Sequence, residues 1–362
     1  MFPLPGGLDT PCVVVDLSAV ERNASRMAEA MARRGVALRP HFKTHKSIRL
    51  ARLQLDAGAR GITVGNLGEA EVLAGARVED LFIAYPVWAV GPKAARLAAL
   101  VERTPLAVGI DSVAGAERLA AAVAGNRDRL RILIEIDSGL ARTGVSATTA
   151  GPVASAAAGL GLDVVGAFTH AGHSYAGPDA VGDASHDEVA SLESAAESLR
   201  EVGIEPRVLS AGSTPTALSS ATRQVNEMRA GTYLLGDGQQ LVLGGTPPDG
   251  IAVVVAATVV STSVEGQVVV DAGAKMLTKD RAPFLDGYGR VAGYPDAVIE
   301  RVNDYHGIVR LPPDGPRPHL GEVVAIIPNH VCPVINLVDD FVVARDGEVV
   351  DRWPVDARGM NG

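Results

Sequence analysis

Apolar and polar positions in this chain follow two rhythms in turn. "DLSAVERNASRMAEAMARRG" (residues 16–35) has helical spacing. Val20, Ala24, Met27, Ala28 and Met31 share one face, Ser18 and Glu21 are spaced as a capping box, and Gly35 is a stop. Short β-type runs then begin at Val36, Gly61, Asp80, Leu106, Arg131, Asp163, Arg207 and Glu227. Ala-rich helical segments separate them, at residues 67–76, 91–103, 113–125, 147–160 and 186–203. Eight strands alternating with helices predict an α/β fold, a (β/α)8 TIM-type barrel over residues 15–245. Past the turn-rich "LGGTPPDG" (residues 243–250) the chain is nearly all β-type. "RDGEV" (residues 345–349) reads as a hairpin turn. A second, mostly β C-terminal domain is expected over residues 246–362, which residues 1–14 could join.

The first β-type run carries unusual chemistry. Read with a period of two, "VALRPHFK" puts Val36, Leu38, Pro40 and Phe42 on one face and Ala37, Arg39, His41 and Lys43 on the other. If the apolar face meets the helices, the polar one points into the barrel. Lys43 is then the last inward residue, at the C-terminal mouth where such barrels place active sites. Inward cations are costly unless they meet an anion or a covalent partner. The alternative is a solvated basic loop, with Lys46 in it. A desolvated lysine is the usual Schiff-base nucleophile, and pyridoxal phosphate would bring an anion for neighbouring donors. "LSAGSTPTA" (residues 209–217), with Ser213 and Thr214, and "MRAGTY" (residues 228–233), with Gly231 and Thr232, follow the last two strands, where barrels commonly bind phosphate. Such Gly/Ser/Thr loops are also common without phosphate.

"AIIPNHVCPVINL" holds His330 and Cys332. On a strand, positions i and i+2 share a face, so imidazole and thiolate could converge on one divalent metal such as zinc. Two ligands suit an open catalytic site rather than a four-ligand structural one. A half-buried strand with an incidental His and a core Cys is the plain alternative.

Composition narrows the setting. With 33 Lys plus Arg against 42 Asp plus Glu and only 4% aromatic residues, the 362-residue chain has neither the charge nor the stacking surface of a nucleic-acid binder. No window resembles a leader peptide or a membrane span, so a cytoplasmic protein is expected. Cys12 and Cys332 are too few for a disulfide framework.

"TPCVVVD", "RPHFKTHK", "FTHAGHSY", "GSTPT", "MRAGTY", "DAGAKMLTKD" and "PNHVC" occur in an order that resembles the D-serine dehydratase and D-threonine aldolase family of fold-type III pyridoxal phosphate enzymes. The resemblance spans nearly the whole chain. It implies an alanine-racemase-like barrel, a metal-bearing β domain and a homodimer acting on D-amino acids. Lys43 resembles the cofactor-bearing lysine. His330 and Cys332 match the metal ligands, for zinc or, alternatively, manganese or magnesium. Ser213, Thr214, Gly231 and Thr232 resemble phosphate contacts. Arg142 and Tyr175 resemble residues beside the cofactor ring, and Arg229 aligns with the arginine that faces the pyridine nitrogen in alanine racemases. Which of Arg142, Arg229 and Tyr175 has that place here stays open. For at least two of His170, His173 and His306, a structural role is expected. The resemblance implies a lyase for β-hydroxy-D-amino acids, with dehydration favoured because Cys332 stands where such aldolases tend to have Asp. D-serine or 3-hydroxy-D-aspartate would be substrates. The alternatives are retro-aldol cleavage, racemisation, or cofactor carriage without catalysis.

Overall fold

The computed structural model describes residues 4–362. Strand β1 (Cys12–Asp16) leads into helix α1 (Leu17–Ala32). The parallel unit follows in order: β2 (Ala37–Leu38), α2 (Ile48–Asp56), β3 (Ile62–Val64), α3 (Leu67–Gly75), β4 (Leu81–Pro86), α4 (Pro92–Arg103), β5 (Leu106–Ile110), α5 (Val113–Ala122), β6 (Leu130–Ile136), α6 (Ala150–Gly159), β7 (Asp163–Thr169), α7 (Ala180–Glu201), β8 (Val208–Ala211), β9 (Glu227–Met228) and α8 (Gly238–Val242). Its eight parallel strands run β2-β9-β8-β7-β6-β5-β4-β3. One bridge, His41 with Thr63, joins the two ends of that order.

The rest is β10 (Val253–Ser261), β11 (Gln267–Val270), α9 (Ala274–Leu277), β12 (Gly289–Val291), β13 (Val298–Val302), β14 (Gly307–Arg310), β15 (Val323–Pro328), α10 (Val331–Leu337), β16 (Asp340–Arg345) and β17 (Glu348–Pro354). These strands and β1 form one nine-stranded sheet, order β11-β14-β13-β12-β15-β10-β1-β16-β17, in which β10 also pairs with β11 and so closes a ring. The hairpin between β16 and β17 turns at Asp346 and Gly347, with φ of 50° and 81°, as a tight two-residue turn requires.

Four local expectations need correction. The N-cap of α1 is Asp16, whose carboxylate accepts from Ala19 N at 3.1 Å. Ser18 therefore forms no capping box, and Glu21 pairs with Arg345 instead. The strand expected from Val36 to Lys43 is only two residues long. Pro40 has no N–H for the ladder, and Phe42–Thr44 forms a 3-10 turn with His41 Nδ1 accepting from Lys43 N at 3.3 Å. Lys46 does not sit in a solvated loop: it is 5% exposed, and α2 begins two residues later. His330 and Cys332 are not on a strand, because β15 ends at Pro328 and His330 is the N-cap of α10.

The interior of the parallel unit is layered. At the end where the strands begin, Arg39 Nε meets Glu227 at 2.7 Å and Arg39 Nη2 meets Asp80 at 2.9 Å, with both Arg39 and Glu227 4% exposed on their side chains. Arg131 reaches the same Asp80. Above this lies a floor of Phe82, Ala107, Leu133, Val165 and Phe168, with the two Phe rings edge to face at 5.0 Å. Chemistry is thereby left to the opposite end. The inward arginine expected to need an anion has found two, at the end of the parallel unit where the strands begin. Arg39→Met leaves the buried Glu227 without its cationic partner, while Asp80 keeps Arg131, and the expected loss in urea unfolding is about 3 kcal/mol; an unchanged midpoint would contradict the layer's role.

Candidate active site

The mouth of the parallel unit holds a cavity with about 530 Å³ of empty space, lined by Lys43, Arg142, Tyr175, Ser213, Thr214, Arg229, Gly231 and Thr232, the eight residues singled out from sequence. His41, Glu135 and His170 line it too. Lys43 comes from the 3-10 turn after β2 and is exposed to the cavity rather than buried inside the parallel unit. Arg229 follows β9 and crosses the floor. Its guanidinium lies 5.1 Å from the Phe168 ring centroid and donates to Ser210 Oγ at 2.6 Å and to the Thr169 carbonyl. Burial lowers its pKa to about 10 against the pull of Glu227, Glu188 and Glu135. Glu135 accepts from Thr143 at 2.8 Å through one oxygen, while the other is buried without a partner. Burial pushes this carboxyl above the usual range.

Two histidines are held neutral. Burial, then the positive charge of Lys43, lowers His170 to about 3. Its Nδ1 is 2.7 Å from the Gly212 carbonyl, so Nδ1–H donates and Nε2 is left as an acceptor. His41 is lowered likewise, by burial first. His173 sits 3.3 Å from Asp187, and His306 is exposed on the surface; neither lines this cavity.

The loops after β8 and β9 fit a phosphate group on an observation independent of any likeness. None of the backbone N–H groups of Ser213, Thr214, Gly231 and Thr232 finds an acceptor among the described residues. All four residues line the one cavity. Unpaired amides at a cavity wall form an anion site. The hydroxyls of Ser213, Thr214 and Thr232 are nearly buried beside them. Tyr175 is held by Gln240, whose Nε2 donates to the phenol oxygen at 3.1 Å.

A second cavity, about 920 Å³ of empty space, opens from the first and shares Lys43, Arg142, His170, Tyr175 and Thr232 with it. His330 and Cys332 form its far wall with Asp280 and Arg281. Asp280 Oδ2 lies 2.5 Å from His330 Nδ1, an arrangement that fixes the ring and turns Nε2 toward the cavity. Burial disfavours the imidazolium, but Cys332, Asp237 and Asp280 outweigh it and raise His330 to about 10. Burial alone would raise the Cys332 thiol, yet His330 holds it below its ordinary value. Imidazole and thiolate are a donor set for zinc. No group of three or more His, Cys, Asp or Glu suited to a metal occurs among the described residues. The pair thus fits an open two-ligand site with room for water and substrate.

Two buried groups join this wall to the parallel unit. Asp237, at the start of α8, accepts from Val331 N at 3.0 Å and from Gln240 N at 2.9 Å. Lys46 Nζ donates to Asn336 on α10 and to Asn361 near the C-terminus, each at 2.8 Å, and lies 3.6 Å from Glu69. Sequence reasoning missed Asp280, Asp237 and Glu135. Asp280 stands fifty residues before His330 in a loop, and only the fold brings the two together.

The description "Alanine racemase, N-terminal domain" matches residues 15–239, and "Putative serine dehydratase domain" matches residues 252–344. A D-threonine aldolase of Arthrobacter sp is 33% identical over 98% of this chain and 94% of its own length. The D-threo-3-hydroxyaspartate dehydratase of Delftia sp. (strain HT23) is 36% identical over 90% of this chain and 91% of its own. A crystal structure of D-threonine aldolase from Filomicrobium marinum superposes with a TM-score of 0.88 at 31% identity, covering 98% of this chain and 97% of that one. The chain belongs to the D-serine dehydratase and D-threonine aldolase family of fold-type III pyridoxal phosphate enzymes, which pairs an alanine-racemase-like parallel unit with a β domain.

Proposed function

We propose that this protein is a pyridoxal phosphate- and divalent-metal-dependent lyase for β-hydroxy-D-amino acids, acting as a dehydratase that yields a 2-oxo acid and ammonia. One observation carries the reading: Lys43 lines both cavities, so a single amine borders the anion-binding amides on one side and the His330–Cys332 pair on the other. A relative that is a D-threo-3-hydroxyaspartate dehydratase by name supports it. The finer architecture we propose is a closed (β/α)8 barrel over residues 15–245 and a metal-bearing β domain over 246–362 joined by residues 1–14; the His41–Thr63 bridge and the place of β1 support it. A homodimer is proposed on the family resemblance alone.

When bound, pyridoxal phosphate supplies an electron sink for a carbanion at Cα, and the divalent cation supplies a Lewis acid for the β-hydroxyl. The residues then divide the work. Lys43 would anchor the cofactor, and its amine would take the Cα proton. The four free amides and the hydroxyls of Ser213, Thr214 and Thr232 hold the phosphate. Arg229, pinned by Ser210 and Thr169, stays cationic at the floor, and Tyr175 and Arg142 border the ring. His330 and Cys332 hold the metal, with zinc preferred for this donor set, and Asp280 orients His330. The cation is needed because hydroxide is a poor leaving group.

Retro-aldol cleavage is the second reading, supported by the aldolases among the relatives. It would use the same parts with the hydroxyl proton removed and the Cα–Cβ bond broken. Racemisation needs a second base across the substrate, and a carrier role leaves the His330–Cys332 wall without purpose.

Product analysis on D-serine, D-threonine and D-threo-3-hydroxyaspartate separates the two lyase readings. A 2-oxo acid with ammonia, lost on chelation, is expected; glycine with an aldehyde would overturn dehydration. Lys43→Ala is expected to abolish the visible band of the bound cofactor, whereas Lys46→Ala, which removes a tether of the Lys43 turn, is expected to weaken the band without abolishing it; loss with Lys46→Ala and retention with Lys43→Ala would move the anchor. Asp280→Asn is expected to weaken zinc binding by about 10- to 100-fold in equilibrium dialysis, whereas unchanged affinity would detach Asp280 from the metal site.

A further inference from the structure

We propose that Arg281 reads the substituent on the substrate's Cβ and selects a carboxylate there, so that the preferred substrates are dicarboxylic, of the 3-hydroxy-D-aspartate kind. The inference rests on the lyase reading above and adds to it the substrate's side chain.

The order of groups around the two cavities sets the substrate's direction. Cα must lie by Lys43, and the β-hydroxyl by His330 and Cys332. The remaining group on Cβ then lies against whatever borders the metal pair. That border is the segment from Asp280 to Pro283, which lines the outer cavity beside His330 and Cys332 and is fixed there by the 2.5 Å contact from Asp280 to His330. Arg281 is the only cationic side chain in that segment. Unlike Arg142, it lines only the outer cavity and so belongs to the metal end of the substrate.

The state of Arg281 fits a binding group. Arg281 is exposed where it lines the outer cavity, and among the described residues no carboxylate pairs with it; its chain neighbour Asp280 is occupied by His330. Its guanidinium stacks 5.5 Å from the Tyr288 ring centroid, which steadies the planar fork while leaving its N–H groups free for a bidentate acceptor. A methyl on Cβ, as in threonine, would meet this cation with nothing to offer it. A carboxylate would make charge-assisted hydrogen bonds.

D-aspartate and D-2-aminobutyrate isolate this contact, since they differ at one end, carboxylate against methyl, and lack the β-hydroxyl that would be eliminated. Their dissociation constants can be read from the cofactor's absorbance and by calorimetry on the holoenzyme. The wild type is expected to favour D-aspartate by about 10- to 100-fold. Arg281→Met should erase that preference with little change for D-2-aminobutyrate, and Arg281→Lys should retain part of it. Equal binding of the two ligands by the wild type, or a preference that survives Arg281→Met, would overturn the role of Arg281 and leave the lyase reading standing. If neither ligand binds or perturbs the cofactor band, both the role of Arg281 and the lyase reading are overturned.

Discussion

The buried ammonium of Lys46 ties this site together. Its chain segment carries Lys43, its Nζ holds Asn336 one helical turn beyond Cys332, and the same nitrogen holds Asn361. Glu69, itself 2% exposed, supplies the countercharge. An unpaired ammonium at that depth would cost several kcal/mol, so the three contacts hold the Lys43 turn, the start of α3, the helix that follows His330 and the C-terminal tail in one geometry. Asp237 performs the same service from α8 through the Val331 amide. Lys43 and the His330–Cys332 pair come from opposite ends of the chain, and chemistry between them requires a fixed spacing.

The parallel unit provides the rigid side of this arrangement. An ion-paired layer and an aromatic floor fill its lower interior, leaving the ends of the strands to present donors. Unpaired amides collect after β8 and β9, neutral His170 follows β7, and a half-satisfied Glu135 lies near the end of β6. The β domain contributes only a few groups, but they are the ones that can polarise a hydroxyl.

The strand–helix alternation was legible because each element carries its own period, and the eight runs correspond to the eight strands. Boundaries were not legible where one residue decides them. Pro40 cuts the first strand to Ala37–Leu38, and Pro328 ends β15 before His330. In α10, Pro333 lies in the first turn, where its missing N–H is not needed, so an apolar run that reads as a strand is a helix. Lys43 and the His-x-Cys pair were singled out although both backbone settings were misread; from a 3-10 turn and a helix N-terminus they line the same outer cavity. Helix α2 has no counterpart among the helical segments read from sequence; the apolar residues of "IRLARLQLD" nearly alternate, yet Leu50, Ala51 and Gln54 make a helical face. Asp280 and the Lys46 contacts left no local signal, since each exists only between segments distant in sequence.

The central claim is that Lys43 holds the cofactor opposite a metal pair on the β domain. Borohydride reduction of the cofactor-loaded protein, followed by peptide mapping, tests it most directly. The account predicts a phosphopyridoxyl group on Lys43 alone; the same group on Lys46, or on no lysine of this segment, would contradict it.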